Sequence, residues 1–280
     1  MKKYKIAIFF NNERGLNVYN YLRKSNKFNL DLYISKKNLN KKILKKIPKK
    51  YKIIKKFETN IISHLKKQNY YLNIAAGWPL IFPSKAINLP KKGTINLHAG
   101  KLPEYRGGSP LNWQIIEGKK KIFISIIKMT KKLDAGPLYN QSKINFTDME
   151  NINDLHKKVN KVYPIITKKV IENIIKNIKP VNQSKKNIRC LKQRNEHDGK
   201  IEWNKMDAEK VYNMVRALNK PYPGAFYVFN KKKFRIDKCK KSLVTNNAKP
   251  GTIFHIKKKK FITCFKNSVR ILIEKKSNIN

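Results

Sequence analysis

Asn96, His98 and Asp134 are the side chains of this sequence whose types and spacing best suit acid–base chemistry. Asn96 and His98 alternate along a strand-like stretch, so their side chains project from the same face. Asp134 follows in a tight turn, Asp134-Ala-Gly136, between two further strand-like stretches. An amide and a protonated imidazole can stabilise an oxyanion, and a His–Asp pair can manage the proton of an amine. The set therefore predicts transfer of a carbonyl group to an amine, which requires neither a metal nor a covalent nucleophile.

The elements that must position these residues alternate between strands and helices. Strand patterns occupy 4–10, 30–34, 71–75, 94–98, 122–129 and 138–144, and helical patterns occupy 16–24, 60–67, 111–117 and 151–178. This alternation predicts an α/β fold with a doubly wound, mostly parallel sheet and helices on both faces. Ligands of such sheets bind beyond the carboxyl ends of the strands, which is where Asn96 and His98 lie.

The sequence after Pro180 changes to short strand-like runs separated by turns. These runs are 199–203, 224–229, 234–236, 252–254, 261–265 and 269–273. They predict a small C-terminal domain that resembles a β-barrel, with domain boundaries of 1–185 and 186–280. In the first domain we expect residues 11–15 to form a loop, and the lysine-rich segment 36–56 to form an exposed loop and helix.

The charge of the chain is strongly positive. Its 280 residues include 65 basic and 17 acidic ones, a formal net charge of +48, and only eight of the basic residues are arginine. Such a charge alone would indicate a nucleic acid or an anionic membrane as partner. Dedicated phosphate sites usually contain arginine, whose planar fork matches a phosphate. Lysine, isoleucine and asparagine are in excess together, so we interpret the charge as the drift of an AT-rich genome, with a polyanion site as the alternative.

The cysteines and the apolar runs bear on the cellular compartment. Cys190, Cys239 and Cys264 are widely spaced and form no metal-ligand pattern, which is typical of thiols in a reducing cytoplasm. The apolar run from Ile6 to Phe10 is too short for a signal peptide, and no apolar stretch approaches the roughly 20 residues of a membrane helix. The sequence predicts a cytoplasmic protein that binds neither a metal nor a membrane.

Several separated motifs carry a resemblance to one enzyme family. Asn96-Leu-His98-Ala-Gly-Lys-Leu-Pro103-Glu-Tyr-Arg106-Gly107, followed by Asp134-Ala-Gly136, resembles the signature of the 10-formyltetrahydrofolate-dependent formyltransferases. The C-terminal domain of that family is similar to Ile201-Glu-Trp203, to the stretch from Asn213 to Phe226 and to Pro250-Gly251. The resemblance covers almost the whole chain. It implies a Rossmann-like catalytic domain and 10-formyltetrahydrofolate as the co-substrate.

The resemblance also implies roles for particular positions. Asn96 and His98 would polarise the formyl carbonyl, and Asp134 would hold His98 and help to relay protons. Arg106 and Asn112 would contact the substrate, although bracing of its own loop is an equal alternative for Arg106. Loops that enclose the pterin would include Gly77, Trp78, Leu80, Leu133 and Asp134.

Two departures from the family pattern bear on the amine acceptor. The tRNA-specific enzymes have a Gly-Thr-Pro loop after the first strand, and here that place is held by the stretch from Phe10 to Gly15. The stretch from Ser109 to Trp113 looks more like the sugar-nucleotide formyltransferases, including the one that formylates UDP-aminoarabinose. Both departures favour an amino-sugar nucleotide as the small-molecule acceptor.

Three functional hypotheses follow. The first is formylation of a primary amine on an amino-sugar nucleotide. The second is formylation of initiator methionyl-tRNA, which the positive field and the lysines between Lys36 and Lys56 favour. The third is a non-catalytic RNA-binding protein on this scaffold, although Asn96, His98 and Asp134 are all retained. Enzymes of glycinamide formylation or formyl-folate deformylation resemble only the first domain and are disfavoured.

Overall fold

A computed structural model describes residues 3–37, 39–244 and 247–277 of the chain. The elements of the first half are β1 (Tyr4–Phe10), α1 (Glu13–Leu22), β2 (Phe28–Ser35), α2 (Lys41–Leu44), β3 (Tyr51–Ile54), α3 (Thr59–Gln68), β4 (Leu72–Ala76), α4 (Ser84–Asn88), β5 (Thr94–His98), β6 (Arg106–Gly107), α5 (Pro110–Ile116) and β7 (Lys121–Lys128). The elements of the second half are β8 (Leu138–Asn145), α6 (Ile152–Ile175), β9 (Cys190–Leu191), a 3-10 helix (His197–Gly199), α7 (Ala208–Ala217), β10 (Ala225–Phe229), β11 (Lys232–Ser242), β12 (Ile253–Ile256), β13 (Lys259–Thr263) and β14 (Ser268–Ser277).

The chain divides into two compact units. The first comprises Met1–Gly107, Phe123–Ile144 and Lys157–Cys190, and the second comprises Gly108–Ile122, Asn145–His156 and Leu191–Asn280. Both units are assembled from separate stretches of the chain, whereas the boundary expected at residue 185 is a linear one. The domain bounds 1–185 and 186–280 stay a prediction.

The first unit is built on a seven-stranded sheet with the order β3-β2-β1-β4-β5-β7-β8. Strands β3, β2, β1, β4 and β5 are parallel to one another, whereas β7 pairs with β5 in the antiparallel direction. From β1 the chain first builds outward through β2 and β3, and then returns to place β4 on the other side of β1. The carboxyl ends of β1 and β4 therefore flank the topological switch point, where such sheets bind ligands. The predicted doubly wound, mostly parallel sheet is confirmed.

An aromatic cluster closes one side of this sheet. The ring of Phe9 stacks on Tyr33 at 4.6 Å between centroids and meets the edges of Phe82 at 5.0 Å and Trp78 at 5.4 Å. Burial of each such ring stabilises the fold by about 1.5–3 kcal/mol. Because Phe9 lies near the end of β1 and Trp78 lies two residues after the end of β4, the cluster also holds the chain where it leaves these strands at the switch point.

The second unit contains a five-stranded antiparallel sheet with the order β10-β11-β14-β13-β12. Helix α7 covers one face, and its apolar side chains share a core with Ala225, Ile236, Ile262 and Val269. The predicted small C-terminal β domain is confirmed. Helix α7 was not predicted, although the Asp207 side chain caps it by accepting from Lys210 N.

Three local predictions were wrong. Residues 13–15 belong to α1 and not to a loop, because the Asn12 side chain accepts from Arg14 N and begins the helix there. The segment 36–56, of which Asn38 lies outside the described residues, contains the strand β3, because its backbone pairs with β2. A strand at 199–203 does not form. The chain there makes the 3-10 helix and a single bridge from Lys200 to Phe226.

Helix α6 continues through Pro164. Proline supplies no amide hydrogen to the carbonyl four residues earlier. That carbonyl, Asn160 O, instead accepts from Asn17 Nδ2 of α1 at 3.4 Å. This side-chain hydrogen bond joins α6 to α1 in the first unit. Within the described residues, no helix has both the length and the apolar character that a membrane span requires.

Candidate active site

Asn96, His98 and Asp134 meet at the carboxyl end of β5. The Asp134 carboxylate accepts from Asn96 Nδ2 at 3.2 Å through Oδ1 and from the Gly107 amide at 3.0 Å through Oδ2. His98 Nδ1 lies 3.3 Å from the same Oδ2, and both side chains of this pair are less than a tenth exposed. All four groups belong to the first unit. The structure thus brings together the three residues predicted from the sequence to be catalytic.

The His98 ring has an acceptor at each nitrogen. Nδ1 faces the Asp134 carboxylate, and Nε2 lies 2.5 Å from the Tyr105 carbonyl oxygen. A neutral imidazole carries one N–H, so it can satisfy only one of these acceptors. A second proton would satisfy both. The two acceptors therefore favour a protonated His98 ring, but burial opposes protonation and has the larger effect. Contact between the ring and a substrate requires that one of the two hydrogen bonds opens.

The turn that carries Asp134 is held from both sides. Asp134 has a left-handed backbone, with φ of 47°, which is uncommon for a residue with a side chain. Gln183 Nε2 donates to the carbonyl oxygens of Asp134 at 2.8 Å and of Gly136 at 2.7 Å. A Cβ at Gly136 would lie only 1.7 Å from Lys128 O, so this position requires glycine. These contacts offset the strain of the turn and aim the carboxylate at His98.

Arg106 and Asn112, the two residues expected to contact substrate, both have protein partners. Arg106 donates to Gln183 Oε1 through Nε at 3.2 Å and Nη2 at 2.8 Å, and so supports the residue that holds the Asp134 turn. Asn112 belongs to the second unit, is 2% exposed and donates Nδ2 to Ala217 O at 2.8 Å. These contacts match the bracing alternative for Arg106. Substrate contact by either residue stays a prediction.

The loop after His98 is fixed by residues that the sequence did not single out. Ser125 on β7 donates to Gly100 O at 2.7 Å, and Gln141 on β8 donates to Leu102 O at 3.0 Å. A Cβ at Gly100 would lie 2.8 Å from His98 Nε2, so glycine is required beside the ring. Gln183, Ser125 and Gln141 lie outside any motif, and only their contacts reveal that they support the site.

The residues expected around a pterin lie in two places, in the loop after β4 and in the turn at Leu133 and Asp134. Gly77 has φ of 69°, and a Cβ there would lie 2.1 Å from Asn12 Nδ2, so the two loops at the switch point touch. Trp78 and Leu80 are half-buried and pack against the aromatic cluster, whereas Leu133 is 63% exposed. Their binding of a pterin stays a prediction. Among the described residues, no three His, Cys, Asp or Glu side chains are grouped to hold a metal ion.

Burial lowers the pKa of His98 below its ordinary value of 6.5, while the Asp134 carboxylate and the Tyr105 carbonyl raise it and Arg14 lowers it further. We expect an NMR titration to give His98 a pKa below 6.5, and Asp134→Asn to lower that pKa further because an anion that favours the imidazolium is lost. The unfolded chain binds the proton at higher pH than the folded chain. The stability gained from neutral His98 is therefore complete above the ordinary pKa and is lost as the pH falls below it. A pKa above 6.5 in the unmodified protein would contradict this assignment.

Comparisons with known proteins agree with a fold of this kind, an α/β domain followed by a β domain. The sequence matches the family described as Formyl transferase over residues 12–171, and the family described as Formyl transferase, C-terminal domain, over residues 194–278. The chain belongs to the formyl transferase family.

Individual relatives fall into two groups. A methionyl-tRNA formyltransferase of Bacillus velezensis is 31% identical over 203 residues, which are 72% of this chain and 63% of the relative. The bifunctional polymyxin resistance protein ArnA of Wigglesworthia glossinidia brevipalpis is 34% identical over 240 residues, 85% of this chain and 36% of that protein. The crystal structure of WlaRD, a sugar 3N-formyl transferase, covers 100% of both chains with a TM-score of 0.71 and 18% identity. The chain thus spans less than two thirds of these curated relatives, and the likeness to WlaRD is one of fold.

Proposed function

We propose that this protein transfers a formyl group from 10-formyltetrahydrofolate to a primary amine, most directly that of an amino-sugar nucleotide. The observation that carries the proposal is the contact of Asn96 and His98 with opposite oxygens of the Asp134 carboxylate, at 3.2 Å and 3.3 Å. It joins an amide donor and a proton acceptor at one end of one strand. Formyl transfer to an amine requires both.

Each residue has a role that follows from its contacts. As the amine attacks the formyl carbon, negative charge develops on the formyl oxygen. Asn96 Nδ2 carries two hydrogens and gives one to Asp134, so the other is available for that oxygen. His98 accepts the proton that the amine loses, and the Asp134 carboxylate stabilises the imidazolium that results. The proton then passes to the departing nitrogen of the folate, and a formamide and tetrahydrofolate are released.

The residues at the switch point fit a planar, partly apolar co-substrate. Gly77 supplies a bend without a side chain, and the exposed apolar side chains of Ile81 and Leu133 flank the loops concerned, at 90% and 63% exposure. An apolar ligand that covered them would remove their surface from water, which contributes about 25 cal/mol for each Å² buried. Backbone groups of the same loops would provide the polar contacts of the pterin.

An amino-sugar nucleotide is the acceptor we favour. The stretches from Ser109 to Trp113 and from Phe10 to Gly15 depart from the form of the tRNA enzymes. The similarity to ArnA extends over 85% of this chain, and WlaRD, determined in the presence of dTDP and 5-N-formyl-THF, is matched over its whole length. These observations support a compact acceptor that carries a diphosphate.

Initiator methionyl-tRNA is the second candidate. A net charge of +48 and the similarity to the methionyl-tRNA formyltransferase of Bacillus velezensis favour it. Lys41, Lys42 and Lys45 around helix α2 are exposed and are suitably charged for contact with phosphates of an RNA. In this case much of the binding free energy would come from release of counterions.

Salt dependence and lysine replacement distinguish the two acceptors. The purified protein would receive 10-formyltetrahydrofolate with either methionyl-tRNA or a panel of amino-sugar nucleotides, and tetrahydrofolate release would be followed. A tRNA engages many phosphates, so its log KM should rise steeply with log salt, whereas a diphosphate should give a shallow slope. We expect the triple variant Lys41→Gln, Lys42→Gln and Lys45→Gln to leave KM for the amino sugar within about twofold, because single surface contacts contribute little.

The matched control is Lys66→Gln with Lys67→Gln, which removes exposed charges from helix α3. Efficient formylation of methionyl-tRNA with none of the amino sugars, together with a severalfold rise of KM in the triple variant alone, would replace the first acceptor by the second. Absence of tetrahydrofolate release with every acceptor would favour the non-catalytic hypothesis.

A further inference from the structure

Arg14 lies directly against the catalytic strand. Its Nη1 is 3.5 Å from the carbonyl oxygen of Leu97, the residue between Asn96 and His98. The guanidinium also stands over the ring of Tyr163 on helix α6, 5.0 Å from the centroid. Leu97 lies beyond the last residue pair of β4 and β5, near the carboxyl end of β5, where it still pairs with Ile126 of β7. Arg14 therefore reaches the crevice at the switch point, beside the residues assigned to chemistry.

The hydrogen-bonding capacity of this guanidinium is largely unused. At 3.5 Å the contact with Leu97 is at the limit of a hydrogen bond, and the buried Nε has no partner at all. No carboxylate in the described part of the chain forms an ion pair with Arg14. A partly buried cation without an anion is costly, and it gains most when a ligand supplies the missing charge.

The position of Arg14 in helix α1 also favours a bound anion. It is the second residue of the helix, after Glu13, and its own amide is held by the Asn12 side chain. A cation in the first helical turn opposes the helix dipole, which costs stability, whereas an anion bound there is favoured by the same dipole. An arginine at this place is explained if an anion binds between it and the helix end.

The segment from Asn12 to Arg14, at the start of helix α1, contacts two parts of the site. Asn12 lies against Gly77, on the loop after β4, and Arg14 lies against Leu97 on β5. This segment belongs to the stretch, from Phe10 to Gly15, in which the sequence departs from the tRNA enzymes. The departure thus lies at the crevice where the acceptor and the formyl donor must meet.

We propose that Arg14 is a specificity-determining residue that binds a phosphate of the acceptor and thereby places its amine beside His98. The proposal rests on the proposed function. A guanidinium can hold two phosphate oxygens at once through its parallel N–H groups. The diphosphate of a nucleotide sugar is only a few bonds from the ring amine, whereas the glutamate carboxylates of a folate lie beyond its aromatic linker, far from the formyl group. The closeness of Arg14 to the reacting groups therefore favours the phosphate.

The test compares Arg14→Gln and Arg14→Lys with Arg23→Gln as the matched control. Arg23 directly follows helix α1 and also stands over a tyrosine ring, that of Tyr19 at 5.7 Å, but lies at the opposite end of the helix. We expect Arg14→Gln to raise KM for the amino-sugar nucleotide about 10- to 100-fold, the loss typical of a charged hydrogen bond, with KM for 10-formyltetrahydrofolate unchanged. Arg14→Lys should recover part of the loss. The control should behave as the unmodified protein.

A binding measurement without turnover separates this proposal from the proposed function. Inorganic pyrophosphate and UDP would be titrated calorimetrically, and both should bind more weakly by a similar factor in Arg14→Gln and not in Arg23→Gln. Unchanged KM and unchanged pyrophosphate affinity in a folded Arg14→Gln would overturn the proposal, even if amino sugars are substrates. A rise in KM for the folate alone would assign Arg14 to the folate carboxylates instead. If no amino sugar is formylated but pyrophosphate binding still depends on Arg14, the proposed acceptor fails and the anion site stands.

Discussion

Replacement of His98 by alanine should lower kcat by about 10²- to 10⁴-fold, the range expected when a general acid–base group is removed. His98 contacts the Asp134 carboxylate and lies on the strand that also presents Asn96. Its loss leaves the proton of the attacking amine without an acceptor. The formyl donor should still bind, because the loops expected to enclose it contain Gly77 and Leu133 and not His98.

His64→Ala is the matched control for this variant. His64 belongs to the same unit and is partly buried, but its ring contacts the Tyr33 hydroxyl at 3.1 Å and not the Asp134 carboxylate. Turnover would be measured as tetrahydrofolate release, and folding of both variants would be checked by thermal unfolding. A folded His98→Ala protein with the turnover of the His64→Ala protein would remove His98 from the mechanism.

The catalytic residues could be predicted from the sequence because their spacing is local. Asn96 and His98 face the same way by the geometry of a strand, and Asp134 lies in a turn whose glycine is sterically required. Gln183 could not be predicted. It lies far along the chain from Asp134, and its two hydrogen bonds are to backbone carbonyls, which leave no mark on the sequence of the turn.

Elements of the fold with a local sequence pattern could likewise be predicted, and those that depend on contacts could not. Strands β1 and β4 are buried and mostly apolar, so their runs of apolar residues identify them. Strand β3 was missed because two of its four residues, Lys52 and Ile53, are exposed and the strand is fixed by pairing with β2. The start of helix α1 was misplaced because the cap of Asn12 was not recognised, and this error concealed the position of Arg14 in its first turn.

Asp134→Asn should be nearly as damaging as loss of His98, although it changes a single atom of the side chain. The carboxylate faces three donors, Asn96 Nδ2, the Gly107 amide and His98 Nδ1, with two acceptor oxygens. An asparagine would present a donor to at least one of them, so either His98 would turn or Asn96 would be released. Loss of the charge also removes the group that stabilises the imidazolium. An analogous Asp-to-Asn change beside a catalytic histidine, in a serine protease, lowers kcat by about 10⁴-fold.

The double variant His98→Ala with Asp134→Asn provides the sharper measurement. If Asp134 acts through His98, the two losses should not add, and kcat of the double variant should be close to that of the worse single variant. Asp31→Asn is the control, since Asp31 is a half-buried carboxylate of the same unit that accepts from Tyr70 Oη at 2.7 Å. Multiplication of the two single losses in the double variant would show that Asp134 acts independently of His98, for example by orienting Asn96 alone. In that case the proton would have to leave the amine by a route that does not include the His98–Asp134 pair.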